Sequence, residues 1–395
     1  MAFEAAWQHI RTNPRDIDAR RVLADAFLAE GNDQGELLRL CQVPKSERAN
    51  VKPRVTELLN ANVQRWYPRP PWYESNWSWC HPDSLLETGG VPDAFSLPAK
   101  PEHLAWWLER YPLRQLWMSS TASPEMLAAL VDGGHFERLE FLLLDAQHTP
   151  SVLPQFLERI GPGLQKLQIT STVDAGRTLA AGRWLHELRS LSISLREPSV
   201  LAKLWPELHA LEQLHVNSYG LGEKALASLA VRSLRSVSVR VQRTSGPEGS
   251  TFVTPLLAAC EPAALETLSL SGCELEDEHL VAFVARVKAE GLPAMEQLAL
   301  PDNRFRGLPA LLTVPMPKLN ELDVTSNKLS EYGLRALVQQ PFMKHVKRLG
   351  LVRNEVITGH DPVYDYGIEV ASTPIEATAE ELRAMLSIPS SIHVF

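Results

Sequence analysis

Apolar side chains recur along most of this chain in one short phrase, with an aliphatic residue at its first, fourth and sixth positions. The phrase opens as Leu113-Leu116-Met118, Leu139-Leu142-Leu144, Leu164-Leu167-Ile169, Leu188-Leu191-Ile193 and Leu211-Leu214-Val216. It continues as Leu234-Val237-Val239, Leu265-Leu268-Leu270, Met295-Leu298-Leu300, Leu319-Leu322-Val324 and Val346-Leu349-Leu351. The steps between these ten copies are 26, 25, 24, 23, 23, 31, 30, 24 and 27 residues. Alternation at the fourth and sixth positions predicts a short strand with one buried side. Between the phrases, apolar residues fall at helical spacing, as in Leu280, Phe283, Val284 and Val287. The same holds from Pro124 to Val131, Val152 to Ile160, Val200 to Leu208 and Leu334 to Gln339. Each unit therefore reads as strand, turn, helix.

The period and phrase are those of leucine-rich repeats. In the last four copies the phrase extends to a Cys or Asn, at Cys273, Asn303, Asn327 and Asn354. An apolar residue follows at Leu275, Phe305, Leu329 and Val356. A short polar side chain is expected there because the chain turns sharply after the strand and buried amides need partners. The earlier copies carry Thr121, Gln147, Thr172, Arg196, Tyr219 and Gln242 instead, which predicts less regular turns. The expected fold is an α/β solenoid with a parallel concave sheet and outer helices, since one unit alone cannot bury its apolar face.

The third, fifth and seventh positions of each phrase face the concave side. The first copies are apolar there, with Trp117, Phe141 and Leu143. Later copies are short and polar, with Gln168, Gln213, His215, Asn217, Arg240 and Asp323 among them. Exposed aromatics among polar neighbours mark a contact. Two readings of the aromatic patch stand: a free partner site, or a surface covered by the N-terminal module. Two segments break the period. Gln242 to Thr254 lengthens one unit, and Arg353 to Thr373 reads as a long loop bearing Asp361, Tyr364, Asp365 and Tyr366. Tyr364 and Tyr366 are candidates for a second contact.

Residues 1–60 do not repeat. Ile10, Val22, Leu23, Phe27, Leu37, Leu38 and Leu40 are expected to form the apolar faces of two amphipathic helices joined by a tight turn, covering the open end of the repeats. Pro14, Asp16, Arg20, Val22, Ala24, Asp25, Leu28, Gly31, Asp33, Gly35, Glu36, Leu40 and Gln42 carry a resemblance to the bacterial repeat-companion domain, a short module placed before repeats. Asn32, between Gly31 and Asp33, departs from the usual Gly-Asp turn. The stretch from Pro53 to Tyr67 resembles the helix that follows in that family, and Gly90 to Leu97 resembles its passage into the first repeat. The resemblance implies an architecture and no activity. Asp25 and Glu36 are read as structural bonding groups of this module. The organisation expected is a helical module at 1–60, a Trp-rich connector and first strand at 61–97, repeats at 98–356, and a C-terminal loop and cap at 357–395.

Trp66, Trp72, Trp77 and Trp79, with Trp106 further on, make up five of the ten tryptophans. They either pack the module onto the first repeat or form an aromatic peptide slot. Cys80-His81 has no second pair at ligand spacing, so no metal is expected.

Composition narrows the function. The chain has 395 residues, 45% hydrophobic and 22% charged, as a folded protein has. A net charge of −8 argues against nucleic acid as partner. Cys41, Cys80, Cys260 and Cys273 fit no disulfide framework and read as reduced thiols. The start, Met1 to Ile10, lacks a signal-peptide pattern, and no apolar run is long enough to span a bilayer, so a cytoplasmic location is expected. No phosphate-binding loop, dinucleotide fingerprint, nucleophile elbow or zinc-protease helix occurs. No catalytic residue, cofactor or metal is expected. The expected function is a non-enzymatic scaffold or regulatory protein that binds another protein through the concave face. The alternative is a regulator of a partner enzyme, such as a GTPase activator, with Arg304 or Arg353 inserted into the partner.

Overall fold

A computed structural model describes residues 2–13, 16–67, 82–88, 90–91, 94–96, 101–118, 124–133, 139–145, 158–161, 163–170, 184–195, 204–218, 233–241, 253–288, 291–306, 309–354, 357–365, 368–376 and 378–395. They divide into two compact units, Met1–Leu164 and Gln165–Phe395.

The first unit opens with helices α1 (Ala2–Thr12), α2 (Ile17–Ala29), α3 (Gln34–Leu40) and α4 (Arg48–Trp66). Asp16 starts α2: its Oδ1 accepts the Ala19 amide at 2.9 Å, and a second oxygen lies 2.8 Å from His9. Gly31 has φ +70°, the left-handed backbone that ends α2, and the Asn32 side chain then accepts the Gln34 amide at 3.0 Å. Asn32 thus serves the turn. At Gly35 a Cβ would lie 2.5 Å from the Ala24 carbonyl, so the close approach of α2 and α3 needs glycine. Ile10, Leu23, Ala24, Phe27, Leu38 and Val91 form one core cluster. Val22, expected in the apolar face, is 54% exposed. The inward stripe of α2 runs through Arg20, Leu23, Ala24 and Phe27, and Val22 lies one residue off it. Asp25 pairs with Arg39 at 2.7 Å, and Glu36 pairs with Arg54 at 2.8 Å.

Helices α5 (Pro82–Thr88), α6 (Pro101–Arg110) and α7 (Pro124–Asp132) follow, with strands β1 (Ala94–Ser96), β2 (Gln115–Met118) and β3 (Phe141–Asp145) among them. β2 pairs in parallel with both β1 and β3.

The second unit is a leucine-rich-repeat array. Its strands are β4 (Lys166–Thr170), β5 (Ser190–Leu195), β6 (Gln213–Ser218), β7 (Ser236–Val241), β8 (Thr267–Ser271), β9 (Gln297–Ala299), β10 (Glu321–Asp323) and β11 (Arg348–Gly350). Each pairs in parallel with the next, and equivalent phrase positions are partners throughout. Leu167, Leu191, Leu214, Val237, Leu268, Leu298, Leu322 and Leu349 make one buried ladder across the sheet. Helices α8 (Val253–Ala259), α9 (Val281–Val287) and α10 (Glu331–Val338) lie between strands, the last two where the helical spacing predicts them. Among the described residues, 3-10 turns also lie between strands, at Leu185–Glu187, Trp205–Glu207, Pro262–Ala264, Asp277–Leu280, Ala310–Thr313 and Pro341–Lys344. In the expected helical segment at 200–208, Trp205–Glu207 is a 3-10 turn; residues 200–203 and 152–157, and the turns at the six earlier copies, lie outside the described residues.

The Cys and Asn positions do what their chemistry requires. Asn303, Asn327 and Asn354 are each 5% exposed. Asn303 accepts the Leu275 amide at 3.0 Å and donates to the Leu270 carbonyl at 2.7 Å, both in the preceding repeat. Asn327 donates to Leu300 at 2.8 Å, and Asn354 to Val324 at 3.0 Å. The Cys273 thiol donates to the Ser271 and Val239 carbonyls. The residue before each is left-handed: Gly272, Asp302, Ser326 and Arg353 have φ of 65°, 57°, 53° and 59°.

From Arg353 to Thr373, where a long loop is expected, most residues belong to an antiparallel hairpin of β12 (Ile357–Asp365) and β13 (Ile368–Glu376). Helix α11 (Ala379–Leu386) follows, started by a reciprocal bond pair between Thr378 and Glu381. Strand β14 (His393–Val394) then pairs in parallel with β11, and the Phe395 carbonyl accepts the Leu351 amide at 2.9 Å. The tail thus adds a short strand to the last full repeat.

Candidate interaction face

On β4 to β8 the fourth- and sixth-position residues are buried, and their alternates point the other way. Register then decides which outward groups meet. Lys166, Ser190, Gln213, Ser236 and Thr267 form one row. Gln168, Ser192, His215, Ser238 and Ser269 form the next. Thr170, Ser194, Asn217, Arg240 and Ser271 form the third. Lys166, Gln213, His215 and Arg240 are the more exposed members, the His215 ring partly sunk into the face, and the remaining members are half-buried.

The fold brings Gln213, His215, Asn217 and Arg240 together. The first three alternate along β6, and Arg240 stands opposite Asn217 on β7. Partial burial, with the Arg240 charge nearby, lowers the His215 pKa below the usual imidazole value. This favours the neutral ring, and the cation of this cluster is Arg240. Gln168 shares the His215 row two strands away. Asp323 continues that row on β10, four strands from His215 and so about 19 Å off.

Trp117 and Phe141 belong to the first unit. Trp117 is in register with Leu143, and Phe141 with Gln115; all four are half-buried. The Trp117 indole N–H is buried and has no hydrogen-bond partner among the described residues. Tyr364 lies on β12 opposite Glu369, with its side chain outside the described set. Tyr366, Trp72, Trp77, Trp79, Cys80 and His81 lie outside it as well, as does most of the segment from Gln242 to Thr254.

One feature of the face escapes a search for leucines: charges at the second phrase position. Arg189 lies 3.3 Å from Glu212, and Arg235 lies 3.0 Å from Glu266, each pair joining neighbouring repeats. Arg114 and Glu140 do the same in the first unit at 2.6 Å. Alternation of sign at one fixed phrase position is the signal that finds them.

Arg304 and Arg353 lie at the turn edge, where they line a shallow cleft of about 610 Å³ with Glu274, Asp302, Ser326 and Lys328. Arg304 is paired with Glu274 at 2.9 Å. The described cysteines are buried, and burial pushes the thiols of Cys41 and Cys260 up to about 12 and that of Cys273 up as well. Among the described residues no group of His, Cys, Asp and Glu stands where a metal ion could be held. No helix among them is long and apolar enough to cross a membrane.

No protein-family model and no curated protein matches the chain. Solved structures similar to it include the mouse RP105/MD-1 complex, at 17% identity and TM-score 0.37, covering 63% of this chain and 47% of that one. The chain thus spans about half the length of that match. The yeast Rad7 and Elc1 complex is similar at 15% identity and TM-score 0.34, over 60% of this chain and 71% of that one. Internalin C2 from Listeria monocytogenes is similar at 14% identity and TM-score 0.33, over 57% and 92%.

Proposed function

We propose that the chain is a non-enzymatic protein-binding protein, a scaffold or regulator, that engages another protein through the outward face of β4 to β8. Gln213, His215, Asn217 and Arg240 form its centre, with Gln168 to one side, and Asp323 lies beyond its edge on β10. The observation that carries this reading is the register. It sets polar, partly exposed groups side by side on a sheet whose opposite side chains are buried. Such a surface is rigid, so little ordering entropy is lost when a partner docks.

Residues 1–60 act in this reading as a repeat-companion-type module ahead of the repeats. Trp117 and Phe141, with Tyr364 and Tyr366, are secondary contacts. The reading places the protein in a reducing, cytoplasmic compartment, in keeping with its buried thiols. The GTPase-activator alternative loses ground at Arg304, which is already held by Glu274.

Affinity capture from native lysate tests the proposal. Wild type is compared with a variant carrying Gln213→Glu, His215→Glu, Asn217→Asp and Arg240→Glu, at an unchanged melting temperature. A partner held by wild type and lost by the variant is the expected result. A partner held equally by both would move binding off this face.

A further inference from the structure

The outward face of β4 to β8 carries no acidic side chain, in a chain whose net charge is −8. Its members are serine, threonine, glutamine and asparagine, with His215 and two cations, Lys166 and Arg240. Both cations are exposed. Among the described residues neither has an ion-pair partner. The acids at the strand starts, Glu212 and Glu266, are taken up by Arg189 and Arg235. Towards the C-terminus of the second unit, outward acids return at β10, where Glu321 is met by Arg348 at 3.2 Å. The face is thus a local reversal of the chain's charge, carried by Arg240 and Lys166, for neither of which the described residues supply an acid.

The surroundings of Arg240 fit a carboxylate. Ser271 and Asn217 flank it in register, and Ser238 precedes it on the same side of β7. These are short, half-buried donors beside an exposed guanidinium. A guanidinium binds a carboxylate through paired N–H groups, and hydroxyl and amide donors satisfy the remaining lone pairs. Lys166 lies three strands and four residues away from Arg240, about 20 Å, which about six residues of extended chain span. Two cations at that separation are too few to follow a nucleic-acid backbone, whose affinity comes from many phosphate contacts.

We propose that this face docks an acidic segment of a partner protein, an extended stretch whose aspartate or glutamate carboxylates pair with Arg240 and Lys166. Its remaining polar groups meet Gln213, Asn217 and the serine hydroxyls. The proposal rests on the reading of this face as a protein-binding surface and adds the chemistry of the partner.

The test uses the full chain and two labelled peptides of equal length, one alternating glutamate with serine, the other lysine with serine. Fluorescence anisotropy at low salt reads binding. The glutamate peptide binds, the lysine peptide does not, and added salt weakens binding. Arg240→Glu weakens it about tenfold or more. Arg240→Lys keeps most of it, and Arg335→Glu, an exposed charge on α10, leaves it unchanged. The proposal is overturned if Arg240→Glu binds the glutamate peptide as wild type does, if both peptides bind alike, or if neither binds. If neither binds and the lysate partner is still lost by the fourfold variant, the acidic chemistry fails and the binding face stands. If capture is also indifferent to that variant, both fail.

Discussion

Asn354 holds the backbone of Leu329 in the repeat before it, its Oδ1 accepting the Leu329 amide at 3.1 Å. Asn303 and Asn327 make the same bond to Leu275 and Phe305. Each also donates to buried carbonyls, so one side chain satisfies groups of two turns at once. Removing it strands several buried polar groups. Asn327→Ala is expected to cost about 3 kcal/mol, because each unmet buried group costs about 1–3 kcal/mol. Asn327→Cys should cost less, since Cys273 fills the equivalent place by donating to carbonyls. Urea unfolding of both variants checks the order.

The turn ahead of these residues is left-handed and is occupied by Asp302, Ser326 and Arg353. A side chain in that conformation costs about 1–2 kcal/mol, and glycine gives back about half of that after its own entropy loss. Ser326→Gly is expected to raise stability by about 0.5 kcal/mol, and Ser326→Val to lower it by about 1 kcal/mol. Melting curves of the pair read the sign. A glycine variant less stable than wild type would mean that the Ser326 side chain is needed for another reason.

Adjacent residues on β6 should respond oppositely to truncation. Leu214 is buried in the ladder and His215 is exposed. Leu214→Ala is expected to lose about 3 kcal/mol through lost burial and a cavity. His215→Ala should stay within about 0.5 kcal/mol. Equal losses would mean that the strand does not alternate as described.

Thiol labelling tests the interior. Cys41 and Cys260, with pKa values pushed up to about 12 by burial, and Cys273 are protonated at pH 8 and shielded. Iodoacetamide should leave all three unmodified in the native protein and label them in denaturant, as peptide mass spectrometry reads. Labelling of Cys273 in the native state would contradict its place beside Val239 and Ser271.

The sheet was legible in the sequence because a period of two allows one buried face, and the phrase leucines mark it in every copy. The Asn303, Asn327 and Asn354 bonds were legible because few side chains satisfy a buried turn. The hairpin was not: 357–376 contains Pro362 and Pro374 and no leucine, so nothing sets it apart from a polar loop. The left-handed turns were hidden because Asp302, Ser326 and Arg353 stand where glycine would have signalled them. Val22 was misplaced because adjacent apolar residues on a helix point about 100° apart, and only one can join the inward stripe. At the candidate face, the residues were legible position by position, but the absence of outward acids emerges only when register lays the strands side by side.

Docking of a partner on the outward face of β6 and β7 can be read at single positions. Photo-crosslinking in native lysate tests it most directly, with a photoreactive side chain at His215 on the face or at Tyr332, which is 83% exposed on α10. A discrete crosslinked protein is expected from position 215 and none from 332. No crosslink from 215, or the same crosslinked protein from 332, would contradict it.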